Sequence, residues 1–333
     1  MNLSFSFVIP VYNRPEETRE LFESMALQTY DQPFEVVVVE DGSSLGSEDA
    51  VSEFTDRLSI SYYKKENSGP GSSRNYGMEK ANGNYFIILD SDCILPPQYL
   101  WEVEKSLNQE FVHCFGGPDA AHESFSPTQR AINYAMTSVL TTGGIRGATN
   151  SVGRFQPRSF NMGISKEAFE SVGGFSKIHP GEDPDLTFRI WKKGYETRLI
   201  PEAFVYHKRR INWNKFYVQV NKFGMARPIL NKWHPETARL TYWFPTLFSL
   251  AFLIAVLFYF LGISLPLVLF ACYFILIVID SLLKNKSLSI ALLSLVAVAI
   301  QFVGYGLGFL KSTFLVNFSK KKPEELLPNL FFK

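Results

Sequence analysis

The sequence predicts an α/β domain built on a parallel, doubly wound sheet and followed by a helical membrane domain. Two observations carry that prediction. The first 110 residues alternate short apolar runs with helix-like segments in a βαβαβαβ order, which gives a parallel sheet with helices on its faces. Residues 241–310 carry only Asp280, Lys284 and Lys286 as charges. Three apolar segments lie there, 241–261, 264–283 and 288–310, each about 20 residues, the length that crosses a hydrocarbon core of about 30 Å.

The elements follow in order. Phe5–Pro10, Phe34–Glu40, Ile60–Tyr63 and Tyr85–Leu89 read as strands: each is short, rich in Val, Ile, Phe or Tyr, and bounded by turn residues. Pro15–Gln28, Ser47–Phe54 and Gly71–Ala81 read as helices, and Pro15 followed by Glu16 and Glu17 suits a first turn. Residues 116–160 are rich in Gly, Ser, Thr and Pro around a helix at Thr128–Leu140; a long segment of this kind inside a domain is functional or mobile. Regular structure resumes over 160–207, with helices at Lys166–Ser171 and Pro184–Lys193 around a Gly173-Gly174 turn. Residues 212–232 read as a basic amphipathic helix with Trp213, Phe216, Tyr217, Val220 and Phe223 near one side.

Charge divides the chain in the same way. Of 333 residues, 33 are basic and 32 acidic, yet residues 1–203 hold 18 basic and 28 acidic groups while 204–239 hold 8 and one. The expected domains are therefore 1–210, a soluble-type domain; 211–240, a basic interfacial segment; 241–310, a membrane domain of about three helices; and 311–333, a basic tail. A purely soluble chain and a mostly buried transporter are both excluded, and no nucleic-acid partner is expected. The three cysteines, Cys93, Cys114 and Cys272, show no CxxC spacing, which suits a reducing compartment. Met1-Asn2-Leu3-Ser4 has no basic n-region before a cleavable apolar stretch, so the catalytic part is expected in the cytoplasm.

In a doubly wound sheet, ligands bind beyond the carboxyl ends of the strands. The polar residues there are Tyr12-Asn13, Asp41-Gly42-Ser43 and Asp90-Ser91-Asp92. The last set is a buried strand delivering two carboxylates two positions apart, and hard divalent cations favour carboxylate oxygens shared with phosphate. A DxD alone also fits a solvated turn. Here it follows Val8-Ile9-Pro10-Val11-Tyr12-Asn13, then Val36 to Ser44, then the Gly-rich Asn67-Ser68-Gly69-Pro70-Gly71-Ser72-Ser73-Arg74. This ordered set resembles the family 2 glycosyltransferases with the GT-A (Rossmann-like nucleotide-diphospho-sugar transferase) fold, over residues 5 to about 207.

The resemblance implies roles by position. Pro10 and Tyr12 would line the nucleoside site, and Asp41 would accept a hydrogen bond from the base, typically uracil; the family often has Asp where this chain has Glu40. Arg74 would flank base and phosphates, Asp90 would face the ribose or the metal, and Asp92 would bind the metal, Mn²⁺ or Mg²⁺. A second constellation comprises Phe160-Asn161-Met162-Gly163, Val172-Gly173-Gly174-Phe175 and Gly181-Glu182-Asp183-Pro184. By resemblance, Asp183 is the base that takes the acceptor hydroxyl's proton and Glu182 positions the acceptor. Asp183 before Pro184 also reads as a cap-then-N1 pair, and the two roles are compatible. In parts of the family a His at the place of His207 completes the metal site, which imidazole suits for Mn²⁺. Processive members carry Gln-x-x-Arg-Trp, whereas this chain has Gln219-Val220-Asn221-Lys222-Phe223; Lys does not replace Arg at bidentate sites, so processive polymerisation is disfavoured.

The basic stretch from Lys208 to Arg239 reads as a positive-inside flank and, beyond that, as a site for a polyprenyl-diphosphate acceptor held by Lys222 and Arg227. The loop at 141–158, with Arg146, Arg154 and Arg158, reads as an acceptor-side lid and is similar to the corresponding region of succinoglycan-type glucosyltransferases. The expected function is an inverting transfer of one sugar from a nucleotide-sugar, a UDP-sugar, to a lipid-linked saccharide in cell-surface polysaccharide synthesis. The expected place is a bacterial-type inner membrane, crossed more than once. The alternatives are transfer to a polyprenyl phosphate, a processive synthase, and a non-catalytic nucleotide-sugar-binding scaffold. Three full spans would put Lys320-Lys321-Lys322 outside, against the positive-inside rule: either the last segment bends back at Gly304–Gly308 or the tail departs from the rule.

Overall fold

The computed structural model describes residues 2–120, 125–143, 154–207 and 212–332. In chain order the elements begin β1 (Phe5–Val11), α1 (Pro15–Ala26), β2 (Glu35–Asp41), α2 (Glu48–Ser52), β3 (Ser59–Lys65), α3 (Pro70–Lys80), β4 (Tyr85–Leu89), β5 (Cys93–Ile94), α4 (Tyr99–Gln109), β6 (Cys114–Gly116) and β7 (Asp119–Ala120). They continue with α5 (Pro127–Thr137), α6 (Val139–Thr142), β8 (Asn161–Ser165), α7 (Lys166–Val172), α8 (Glu182–Lys192), β9 (Thr197–Leu199), β10 (Val205–His207) and α9 (Trp213–Trp233). The last helices are α10 (Phe244–Phe260), α11 (Leu265–Asn285), α12 (Leu288–Phe318) and α13 (Pro323–Leu326).

The chain forms two compact units. The first comprises Met1–His122, Gly153–Lys208 and Phe331–Lys333; the second comprises Glu123–Val152 and Arg209–Leu330. The first holds a seven-stranded sheet in the order β3-β2-β1-β4-β8-β6-β9 and a small sheet β5-β10-β7. The four strands expected over the first 110 residues, β1 to β4, are parallel to one another. The whole sheet is not: β8 runs antiparallel to both β4 and β6. The chain leaves β6 at the carboxyl edge and re-enters from that same edge as β8, so no crossover helix reverses it.

Both faces of the sheet are covered, which is why its strands read as unbroken apolar runs. Phe5, Phe7, Ile9 and Val11 of β1 join Val36, Val38, Tyr85, Ile87 and Leu89 in one core. Val8 joins Val37, Val39, Phe86 and Ile88 in the other, the period-two alternation of a strand. Helix α3 approaches this second face closely: a Cβ on Gly77 would lie 2.5 Å from Val8 Cγ1.

Three helix boundaries differ from expectation for local reasons. The helix expected at Thr128–Leu140 ends at Thr137, where Ser138 adopts extended backbone and caps α6 by accepting from the Leu140 N–H. The helix expected to start at Pro184 starts at Glu182. Its cap is Gly181 at φ 126°, a conformation glycine tolerates, so Asp183 stands inside the first turn and is not the cap. The third apolar helix runs unbroken through Gly304–Gly308 as far as Phe318.

The second unit contains three helices long and apolar enough to cross a membrane, by length and composition: Leu240–Phe260, Leu265–Asn285 and Leu288–Phe318. Asp280, the acid in that region, is satisfied on α11. It accepts from the Tyr134 hydroxyl at 2.6 Å, Ser138 at 3.0 Å and Lys284 at 2.9 Å. Helix α9 lies along α12, where Gly224 meets the Tyr305 backbone and Gly308 meets the Asn221 backbone.

Candidate functional site

Asp41 closes β2 and is buried. Its carboxylate accepts the backbone N–H groups of Ser68 and Gly69, both at 2.9 Å, and is paired with Lys65 from the end of β3. A carboxylate offers about four acceptor positions, so about one remains for a ligand donor. Pro10 lies in β1 beside Val39, and Tyr12 stands just past the strand, 53% exposed. Glu40 points away from Asp41; it accepts from the Ser47 N–H and the Tyr62 hydroxyl, both at 3.0 Å.

Arg74 is the hub. Its guanidinium is buried, with Nη2 2.8 Å from Asp90 Oδ1 and Nη1 3.1 Å from Glu182 Oε1. It lies 5.3 Å from the centre of the Phe175 ring. One cation thus joins the carboxyl end of β4 to the start of α8. Burial works against its charge, but Asp90 and Glu182 outweigh it and raise its pKa. Phe175 is held in place by the Gly-Gly turn before it. Asn75 accepts from the Phe175 N–H at 2.7 Å and donates to its carbonyl at 2.8 Å. Arg189, anchored on Asp185 at 2.8 Å, donates to the Val172 and Gly174 carbonyls at 2.5 and 2.6 Å.

Glu182 is fully engaged. Besides Arg74, Oε1 lies 3.0 Å from His179 Nδ1 and Oε2 accepts the Gly181 N–H at 3.0 Å. Burial opposes its ionisation, yet His179 and Arg74 hold the carboxyl below the usual range. Such an anchored carboxylate is a strut, not a proton acceptor. Its neighbour Asp183 differs: it projects from the first turn of α8 and meets Arg158 Nη1 at 3.4 Å. Helix N-termini favour ionised carboxylates.

Asp92 follows the bend after β4. It is paired with Arg14, and its Oδ1 lies 3.0 Å from His207 Nε2. The His207 ring stacks on Phe160, 5.1 Å between centroids at 18°. Burial raises the Asp92 pKa, but His207 and Arg14 prevail and hold it far below the carboxylate range. Asp92, Cys93 and His207 present ligand atoms within 4.8 Å of one another. Burial pushes the Cys93 thiol well up, so a neutral thiol adds little. One carboxylate and one imidazole, with positions left for phosphate oxygens, fit a divalent cation. Asp90 belongs to Arg74 and stands outside this cluster.

Lys222 and Arg227 lie on α9 in the second unit, where the Arg227 guanidinium covers the Tyr242 ring at 4.4 Å. Arg154 covers the Trp191 ring at 5.9 Å. Arg146 and Lys208 lie outside the described residues. Four residues of the site escaped the sequence reading: Arg14, Lys65, His179 and Phe332. Arg14 directly precedes the Pro15 helix start, and His179 lies three positions before Glu182; both positions were available to inspection. Phe332 had no signal. It donates its N–H to the Lys177 carbonyl at 3.1 Å, and its ring lies 5.8 Å from His179. It also fills the space beside Gly69, where φ is 89° and a Cβ would lie 2.3 Å from the Phe332 ring.

Comparison with known proteins identifies the family and the fold. The model of the family described as Glycosyl transferase family 2 matches residues 6–173. An uncharacterised glycosyltransferase of Rickettsia bellii is 41% identical over 191 residues, covering 56% of this chain and 27% of that protein. Glycosyltransferase AglE of Haloferax volcanii is 26% identical over 221 residues, covering 62% of this chain and 67% of that protein. The chain spans between 27% and 31% of the length of the first three relatives it matches. Among solved structures, a mannosyltransferase of Pyrobaculum calidifontis, in complex with GDP-Man and Mn²⁺, superposes with a TM-score of 0.59 at 17% identity. The match covers 95% of this chain and 88% of that one, a likeness of fold.

Proposed function

The chain belongs to glycosyltransferase family 2, and on that premise we propose that it is an inverting, metal-dependent transferase that moves one sugar from a UDP-sugar to a lipid-linked saccharide at a membrane. It is a glycosyltransferase with a GT-A-type α/β domain. The donor nucleotide, the acceptor and the residue roles are our reading. The observation that carries them is the pair of neighbouring carboxylates at the start of α8: Glu182 bound by Arg74, His179 and the Gly181 N–H, and Asp183 in the first turn, 3.4 Å from Arg158.

In this reading Asp41, oriented by two backbone N–H groups, receives the N–H edge of the base, with Pro10 and Tyr12 beside it. Asp92 and His207 would hold the divalent cation, which when bound neutralises the charge developing on the departing nucleoside diphosphate. Arg14, paired with Asp92, would stand beside that cation and the diphosphate. Asp90, fixed by Arg74, faces the ribose. Asp183 accepts the proton of the attacking hydroxyl, with Arg158 3.4 Å from its carboxylate. With one base and no separate nucleophile among these residues, displacement is single and the anomeric centre inverts. The acceptor's diphosphate is assigned to Lys222 and Arg227.

A transfer screen in detergent tests this reading, with Mn²⁺ or Mg²⁺, UDP-, GDP- and dTDP-sugars and a polyprenyl-diphosphate-sugar acceptor. Metal-dependent UDP release with one donor is the expected result. Nucleotide release that is equal with and without metal, or confined to GDP-sugars, refutes the donor assignment.

A further inference from the structure

We propose that α12 does not cross the membrane. Helices α10 and α11 form a membrane hairpin, and α12 lies in the interface on the side of the catalytic unit. The first support is parity. The chain leaves the first unit after β10 and rejoins it at Phe331, which forms an antiparallel bridge with Ile178. The Phe332 N–H then donates to the Lys177 carbonyl at 3.1 Å. One folded unit occupies one side of a bilayer, so the chain between those points crosses an even number of times. Three candidate spans lie between them.

The packing within the second unit selects the helix that stays. Helices α10 and α11 are largely exposed, with 11% of each span buried, against 44% for α12. They pair antiparallel: Phe248 meets Phe274 at 6.3 Å and Phe252 meets Phe270 at 5.2 Å between ring centroids. Their far end is bare, with Leu257 62%, Phe260 78% and Leu265 66% exposed, as suits a tip surrounded by lipid. Helix α12 touches the hairpin at its base. Ser294 meets Ser281 at 2.8 Å, Phe302 meets Phe248 at 4.7 Å, and Phe309 meets Trp243 at 5.0 Å. From Ser294 to Phe309, α12 advances about 22 Å at ~1.5 Å per residue. Its contacts pass meanwhile from the end of α11 to the start of α10. It therefore crosses the base of the hairpin and does not run up beside it.

The two faces of α12 fit that position. Leu292, Val296, Val303, Leu307, Leu310 and Phe314 form one exposed apolar stripe. The opposite face is buried and mixes small residues (Ser294, Gly304, Gly308 and Ser312) with Val298 and Phe302. It packs on α9, which carries Lys215, Lys222, Arg227 and Lys232 in 21 residues. Asn221 donates to the Gly304 carbonyl at 2.9 Å and Lys232 to that of Val316 at 3.0 Å. Four cations on the helix that covers this face are costly in hydrocarbon, which places α9 and the face of α12 beneath it at the headgroup boundary. Its 31 residues, about 46 Å, also exceed a core of about 30 Å. The occupant of the stripe is thus the acyl surface of the leaflet facing the catalytic unit. Lys284, Lys286 and Lys320 to Lys322 then share one side, as the positive-inside rule prefers.

The arrangement rests on the membrane reading above and is independent of sugar transfer. Sidedness in sealed vesicles tests it, using the full chain in a Cys272→Ala background, since Cys93 and Cys114 are buried. Single cysteines at Glu79 (catalytic unit), Ser264 (hairpin tip) and Lys320 (after α12) are labelled with a membrane-impermeant maleimide. Lys320→Cys is expected to label with Glu79→Cys, at least tenfold faster from their shared side, and Ser264→Cys from the opposite side. Lys320→Cys labelling with Ser264→Cys overturns the proposal, as does labelling of all three from one side. Release of the protein by alkaline carbonate would remove the membrane reading itself, and this topology with it.

Discussion

Arg74→Met removes a buried cation that two carboxylates share. The side chain keeps its apolar volume beside Phe175, so what changes is charge. Asp90 is about a third exposed and can turn to water. Glu182 is almost wholly buried and cannot. It must remain an under-compensated anion or take up a proton. For a carboxyl of ordinary pKa 4.5, staying neutral at pH 7 costs about 3.4 kcal/mol at ~1.36 kcal/mol per pH unit. That figure falls within the roughly 3–5 kcal/mol for breaking a buried pair. At ~2–4 °C per kcal/mol for a domain of this size, melting should fall by about 7–14 °C at pH 7. The sign with pH is defined. In the wild type the lowered Glu182 pKa contributes stability above about pH 4.5, the unfolded value, and loses it as pH falls toward the folded value. In Arg74→Met that contribution is lost or reversed, so the gap between the two proteins narrows as pH falls from 7 to 5. Differential scanning fluorimetry of detergent-solubilised protein across that range reads both quantities, and Arg74→Lys should fall between, since one ammonium does not reach both carboxylates as a planar fork does. A loss under about 2 °C at pH 7, or a gap constant with pH, would refute the hub role of Arg74.

The other predictions concern chemistry and local strain. Asp183→Asn should reduce transfer at least a hundredfold while leaving UDP affinity within about threefold; full turnover in that variant removes the base assignment. Asp92→Asn should abolish the Mn²⁺ dependence of UDP binding measured by calorimetry, and unchanged dependence would place the cation elsewhere. His179 has its pKa raised: burial opposes the charge, but Glu182 outweighs it. The pair's stability is therefore complete below about pH 6.5 and is lost as pH climbs through the raised value; His179→Gln should flatten the melting curve above about pH 6.5, and an unchanged slope would clear His179. Gly69→Ala should cost about 1–3 kcal/mol through its φ of 89° and its collision with Phe332, read as a lower melting temperature that Phe332→Ala partly restores.

The strands were readable because β1, β2 and β4 are buried on both faces and so are almost wholly apolar. The Asp41 and Asp90–Asp92 sets were readable because each sits at the end of such a strand, and Glu182–Asp183 because it stands at the start of a helix. What the sequence concealed were relations between elements. The antiparallel entry of β8 depends on where a long connection returns, which no local pattern records. The start of α8 turned on Gly181 adopting positive φ, which displaced the cap expected at Asp183. Arg74 was visible as a cation near phosphates, yet its two carboxylate partners lie 16 and 108 positions away. The pairing of Asp92 with Arg14 likewise joins residues 78 positions apart. The path of α12 was hidden for the same reason: its composition is that of a span, and its path is set by α9 and by the pairing of Phe331 with Ile178.

That pairing also sets an order in time. Ile178 and Gly69 are synthesised well before α10 and α11, and Phe331 well after them. The edge strip beside Gly69 is thus completed by a segment that leaves the ribosome only once the hydrophobic hairpin has been made. Closing a loop of that length carries an entropic cost that grows only as its logarithm, and anchoring both ends at one leaflet shortens the search. The strip beside Gly69 is in this way the last part of its unit to be completed, after both apolar helices of the hairpin have been made.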